Sequence, residues 1–163
     1  MDQEAIEVIA RHAEAIATVR EFAARAGAER VIALVDRGDD LEPAMLECAG
    51  GGDVQLTDDG RTWAIPASAP SPAPARPLPD IRPAPASAIS ADPETGEVSA
   101  PLGAVAHLAQ AVLALARSFG GRSVATADFP TRDPALPMTI AAREGEPLLL
   151  AVGDGRFVLP DPG

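Results

Sequence analysis

Between Pro66 and Pro85 the chain carries eight prolines, at 66, 70, 72, 74, 77, 79, 83 and 85, set mostly among Ala and Ser. Proline fixes φ and removes an amide donor, so this stretch favours extended polyproline II over helix or inner strand. Polyproline ligands of aromatic-lined grooves share this composition, but a plain connector is the simpler reading. The prolines therefore divide the 163 residues into a first segment, 1–66, a tether and turn, 67–97, and a second segment, 98–163. A unit of about 65 residues buries only about 60% of its unfolded surface and is marginal alone. The two flanks are expected to share one core.

Each flank has the same order of patterns. Ile6, Ile9, Ala13, Ile16, Val19, Phe22 and Ala26 recur at helical steps, with Glu7, Arg11, Glu14, Glu21 and Arg25 opposite, which predicts one helix over 3–26. Gly27 is placed to stop it. Val31 to Val35 is a continuous apolar run, suited to a strand covered on both faces. Strands are expected at Ala44 to Ala49, Val54 to Thr57 and Thr62 to Ile65. Asp58-Asp59-Gly60 supplies the last turn.

In the second flank, Asp92-Pro93-Glu94-Thr95-Gly96 signals a turn between two short strands. Ser99 then offers a cap and Pro101 a first-turn residue for a helix running to Phe119. That helix is apolar nearly all round, with His107, Gln110, Arg117 and Ser118 as its polar stripe, so it belongs in the middle of a fold. Gly120-Gly121 ends it. Strands are expected at Ser123 to Phe129, Met138 to Arg143, Leu148 to Val152 and Arg156 to Leu159. Glu144-Gly145-Glu146-Pro147 and Gly153-Asp154-Gly155 are the turns between them.

The flanks also align with each other. Gly27 matches Gly120, Val31 matches Val124, Asp40 matches Asp133 and Pro43 matches Pro137. Val54-Gln55-Leu56 falls on Leu148-Leu149-Leu150, Asp59-Gly60-Arg61 on Asp154-Gly155-Arg156, and Trp63-Ala64-Ile65-Pro66 on Phe157-Val158-Leu159-Pro160. The expectation is an α+β fold: two related halves, each a helix plus an antiparallel meander, packed as one pseudo-twofold domain and joined by the Pro-rich tether.

Residues 19–36, from Val19-Arg20-Glu21-Phe22 to Ala33-Leu34-Val35-Asp36, resemble the opening helix and first strand of GAF domains. Residues 104–152, a long Ala/Leu helix followed by an antiparallel meander, are similar to the later part of roadblock-type domains. The resemblance implies a profilin-like regulatory or dimerising scaffold. It carries no chromophore-attachment or nucleotide-binding pattern onto particular residues.

Composition narrows the partners. The formal charge is −11, and all 13 basic residues are Arg, scattered singly, with Lys and Asn absent. Phosphate-backbone binding needs clustered cations, so nucleic acid is not an expected partner, and the same charge opposes anionic membranes. The Arg and Ala excess reads as codon bias from a GC-rich genome. Residues 1–66 carry fourteen acids against six Arg, so this half is the better surface for a basic protein partner. Cys48 is the only cysteine, which excludes an intramolecular disulfide and fits a reducing cytoplasm. Met1-Asp2-Gln3-Glu4 lacks a signal-peptide pattern, and 102–116 is too short to span a bilayer.

Chemistry-bearing residues are few. Gly50-Gly51-Gly52-Asp53 lies between strands and lacks the Lys and the helix of a phosphate loop, so it reads as a hairpin. Asp36, Asp39, Asp40 and Glu42 fail calcium-loop spacing and read as a solvated turn. Cys48, His12 and His107 could supply a nucleophile and base, but Cys48 lies in a strand without an activating context. The bland reading is a buried thiol and two boundary histidines. Trp63 and Phe157 read as core anchors, and Arg61 and Arg156 as exposed turn residues. No catalytic, cofactor or metal residue is assigned. The expected role is a non-enzymatic interaction or regulatory module, with a protein partner or a homodimer. Two alternatives stay open: a small-molecule pocket between the halves, and an enzyme using Cys48 or the acidic turn.

Overall fold

A computed structural model describes residues 3–36, 42–49, 51–67, 90–91, 94, 98–99, 102–120, 122–130, 137–152 and 155–159. The chain order is α1 (Gln3–Arg11), α2 (Ala13–Ala26), β1 (Arg30–Val35), β2 (Ala44–Ala49), β3 (Val54–Asp58) and β4 (Arg61–Ile65). It continues with β5 (Ser90–Ala91), β6 (Val98–Ser99), α3 (Leu102–Ser118), β7 (Val124–Phe129), β8 (Met138–Arg143), β9 (Leu148–Val152) and β10 (Gly155–Leu159). The fold is α+β. Eight strands form one antiparallel sheet in the order β10-β9-β8-β7-β1-β2-β3-β4, while β5 and β6 pair separately as a short ladder.

The sheet is two meanders joined at β1 and β7. Val31 stands opposite Ala127, Ile32 opposite Thr126 and Ala33 opposite Ala125. Glu29 lengthens the seam by donating its amide to the Asp128 carbonyl at 2.8 Å, and the Asp36 amide donates to Ser123 Oγ at 3.0 Å. Side chains alternate across each strand. On one face Val31, Ala33, Leu46, Cys48, Val54, Leu56, Ala125, Ala127, Phe129, Met138, Ile140 and Leu150 are buried. α2 packs there on β1 and β2, and α3 on β7 and β8, so both helices and both meanders contribute to one apolar core. Small Ala33, Ala125 and Ala127 under the helices leave room for Phe22, Leu108, Val112 and Leu115.

The first helical segment departs from the sequence reading. The period continues from 3 to 26, but regular helix stops for one residue at His12, whose backbone (φ −105°, ψ 12°) leaves the α region. Its amide still reaches Val8 and Ile9 carbonyls, and its carbonyl accepts from Ile16, so the chain bends there without separating. α2 ends as expected. Gly27 takes a left-handed φ of 69°, its amide returns to Ala23 O, and Ala28 donates to the same carbonyl.

Two further expectations are corrected. The run Val31 to Val35 is covered on one face only, since Leu34 is 38% exposed and Ile32 half-buried. Both neighbours of β1, namely β2 and β7, run antiparallel to it, so no parallel-strand crossover helix is needed on the other face. Ser99 is not a helix cap: it lies in β6 opposite Ser90, and α3 starts at Leu102. The short ladder does bracket the turn read at 92–96. The β3–β4 turn is the two-residue type suited to hairpins, with positive φ at both Asp59 (52°) and Gly60 (75°).

Candidate functional site

The bend at His12 brings together groups from four elements. Asp58, the last residue of β3, is 3% exposed and points to the helical side of the sheet. His12 Nε2 lies 3.0 Å from Asp58 Oδ2, across 46 positions of sequence, and His12 is itself 9% exposed. A carboxylate only accepts, so His12 carries a proton on Nε2 and donates it to Asp58. Arg11 Nη1 stands 3.9 Å from the same carboxylate oxygen, with most of its side chain in solvent. About two helical turns before Arg11, Glu4 pairs with Arg61, which lies over the Trp63 ring, 5.4 Å from its centroid. α1 is thus pinned to the β3–β4 hairpin by charged contacts.

Beside the bend lies a cleft of about 260 Å³, lined by Arg11, His12, Glu14, Ala15, Thr18, Val35, Ser118 and Phe119. The first six come from the first segment and the last two from the end of α3. Thr18 Oγ1 donates to the Glu14 carbonyl at 2.8 Å, and Ser118 Oγ donates to Leu115 O at 2.6 Å. The cleft thus mixes polar and apolar lining residues from both sides of the tether.

The other sequence candidates fall elsewhere. Cys48 is fully buried in β2, and its thiol donates to the Ala49 carbonyl at 3.4 Å. Burial pushes this thiol up from its ordinary range, Arg20 opposes the shift and Asp53 adds to it. The thiolate is thus disfavoured, and the structure does not join Cys48 to His12. His107 is half-buried on α3. In the acidic turn, Asp36 pairs with Arg122 at 3.4 Å and Glu42 is exposed, while Asp39 and Asp40 lie outside the described residues. Gly51 and Gly52 sit in the β2–β3 connection, as read; Gly50 lies outside the described residues. Trp63 is half-buried against the core. The Phe157 backbone stands opposite Leu150, and its side chain lies outside the described part. Arg156 is exposed and donates to Gly155 O. Arg61 is exposed too, and holds Glu4.

Asp58 is the residue that sequence reading missed. The sequence places it with the hairpin turn, and only its period-2 spacing from Val54 and Leu56 marks it as facing inward. Among the described residues, no three His, Cys, Asp or Glu side chains group as metal ligands, and no helix is long and apolar enough to cross a membrane. Comparison with protein-family models, with curated proteins and with solved structures gives no match.

Proposed function

We propose that this chain is a non-enzymatic protein-interaction module, made of two copies of one α+β unit, which meets a protein partner through the sheet face opposite its helices. The carrying observation is a row of side chains on that face, registered across five strands: Ile32, Thr126, Ala141, Leu149 and Val158. Leu149 is 55% exposed and Val158 67%, and Leu34 on the next row is 38% exposed. Apolar side chains aligned side by side on an open sheet favour burial against another surface. Arg30 borders the row, bridging Glu47 at 3.4 Å and Asp128 at 3.1 Å, and supplies a polar rim.

The copied-unit reading draws on register. Leu56 stands opposite Trp63, and Leu150 opposite Phe157. Ala33 faces Leu46 in the first meander as Ala127 faces Ile140 in the second. These correspondences favour Val31 with Ala125 over the Val31–Val124 match of the sequence alignment. The extra residue then falls between helix and strand, after the paired stops Gly27 and Gly120, both with positive φ. The likeness of 19–36 to GAF domains and of 104–152 to roadblock-type domains supports the same scaffold reading, as do the charge and the single cysteine for a cytoplasmic setting.

Self-association is the first form to test. Light scattering on the full chain, over a concentration series, should show a species of twice the monomer mass that Leu149→Asp and Val158→Asp disperse. A strict monomer that retains no protein partner in pull-downs, with or without these substitutions, would count decisively against the interaction reading.

A further inference from the structure

The eight-stranded sheet ends in two outer strands, β4 and β10, and neither has a second strand beside it among the described residues. An outer strand presents backbone donors and acceptors that another extended chain can join. Each has an Arg near its start and a proline just after its end, Arg61 with Pro66 and Arg156 with Pro160, so these guards do not tell them apart. Their surroundings do. At β4, α1 reaches the edge, where Glu4 holds Arg61, and the open face carries Thr62 and Ala64. At β10 the open face carries Val158, 67% exposed and opposite Leu149 of β9, while α3 packs on β7 and β8, inward of both strands. Residues 1–66, which hold β4, have fourteen acids against six Arg, whereas residues 98–163, which hold β10, have six against five. Two copies therefore meet far less repulsion through β10 than through β4.

We propose that β10 pairs antiparallel with β10 of a second copy of this chain, about a twofold axis normal to the sheet, so that two eight-stranded sheets become one. Such an axis keeps the helices of both copies on one side. It doubles the open face instead of covering it, so the inference goes beyond the reading of that face. Strands related in this way pair residues that point to the same side, which puts one residue on the axis. Arg156 on the axis would set two guanidinium groups directly opposite one another, which is unfavourable. Val158 on the axis separates the two Arg156 residues by about 13 Å along the strands. It also carries the exposed apolar row, Leu149 then Val158, unbroken into the second copy. The β1–β7 ladder has the same construction within one chain, since there two meanders join by antiparallel strands.

The test is disulfide trapping in the full chain under mild air oxidation. Val158→Cys, at an exposed position, sets two thiols across the axis with Cα atoms about 4.5–5.5 Å apart, within disulfide reach. Leu149→Cys lies one strand in, so three strand spacings, about 14 Å, keep its two copies beyond that reach. The wild-type chain, whose one thiol Cys48 is buried, is the control. Val158→Cys should trap a dimer at least about tenfold faster than Leu149→Cys. Val158→Lys, which sets like charges across the axis, should return the light-scattering mass to that of a monomer. The outward amides of β10 should exchange at least about tenfold more slowly in the wild type than in Val158→Lys. Trapping of Leu149→Cys as fast as Val158→Cys would mark stacking through the open face, overturning edge pairing while leaving the interaction reading intact. A wild-type monomer, whether its β10 amides exchange quickly or are shielded by another segment, would overturn the inference, as would a dimer that Val158→Lys leaves unchanged.

Discussion

Ile32 and Thr126 stand directly opposite one another on β1 and β7, at the centre of the ladder that makes one sheet of two meanders. On either side of this pair Val31 faces Ala127 and Ala33 faces Ala125, so the register runs symmetrically outward from it. The face holding Ile32 is the open one, whereas Val31, Ala33, Ala125 and Ala127 lie beneath the helices in the common core. Four consequences can be measured.

A shared core implies one cooperative transition. Phe22 on α2 and Phe129 on β7 are both fully buried, one before the tether and one after it. Phe22→Ala and Phe129→Ala should each lower stability by about 3–5 kcal/mol. Urea unfolding followed by Trp63 fluorescence and by circular dichroism should give coincident single transitions in both variants. A separate transition for either half would contradict the common core.

The His12–Asp58 pair holds the bend. His12→Ala removes the nearer partner of a buried carboxylate and leaves Arg11, largely in solvent and 3.9 Å away, beside it. The expected loss is about 2–4 kcal/mol, since a buried carboxylate that loses its nearest donor is destabilised by more than the pair contributed. Adding Asp58→Leu to this variant should restore part of the loss, which equilibrium denaturation of the single and double variants would reveal.

Arg20 ties the β2–β3 connection to the end of β4. Its Nε donates to Gly52 O at 2.9 Å and its Nη2 to Pro66 O at 2.8 Å. Arg20→Met keeps the stem and removes both bonds, for an expected cost of about 1–2 kcal/mol because the carbonyls can turn to water. Hydrogen exchange should quicken at Ala49 and Ala67, whose amides bond to the Asp53 carbonyl and carboxylate in the same corner.

Cys48 should resist modification. Burial raises the folded thiol above its ordinary value, with Arg20 opposing, so the folded state keeps its proton where the unfolded chain loses it. Above about pH 8.5, the ordinary thiol range, the native state binds more protons, and stability therefore falls as pH rises. Cys48→Ala should remove that alkaline slope. In the native wild type, thiol alkylation at neutral pH should be slow and should accelerate on adding urea.

Much of this architecture is legible in the sequence because local chemistry and tertiary packing agree. Alternation from Met138 to Arg143, the Asp59-Gly60 turn and the Gly27 stop each place an element within a residue or so of its observed bounds. The bend at His12 is not legible. The apolar period passes through it undisturbed, and the partner that His12 meets there, Asp58, comes from β3. Val31 to Val35 reads as doubly covered because every side chain is apolar, yet Ile32 and Leu34 face the open side. Apolar composition reports that a surface seeks burial without saying whether this chain or another supplies it. The cleft is likewise hidden, since Thr18 and Phe119 are brought to one place only by the packing of α2 and α3 in the one core.

Each meander pairs strands that follow one another in sequence, whereas the β1–β7 ladder joins strands whose partners, such as Arg30 and Asp128, lie 98 positions apart. Closing so long a loop is entropically unfavourable before any pairing compensates it, while hairpins close quickly. Assembly of this protein should thus be hierarchical in time: two meanders arise as fast local events, and zipping β1 to β7 sets the overall rate. Substitutions along that ladder will act mainly on how fast the chain folds, and those at the outer strands on how fast it comes apart.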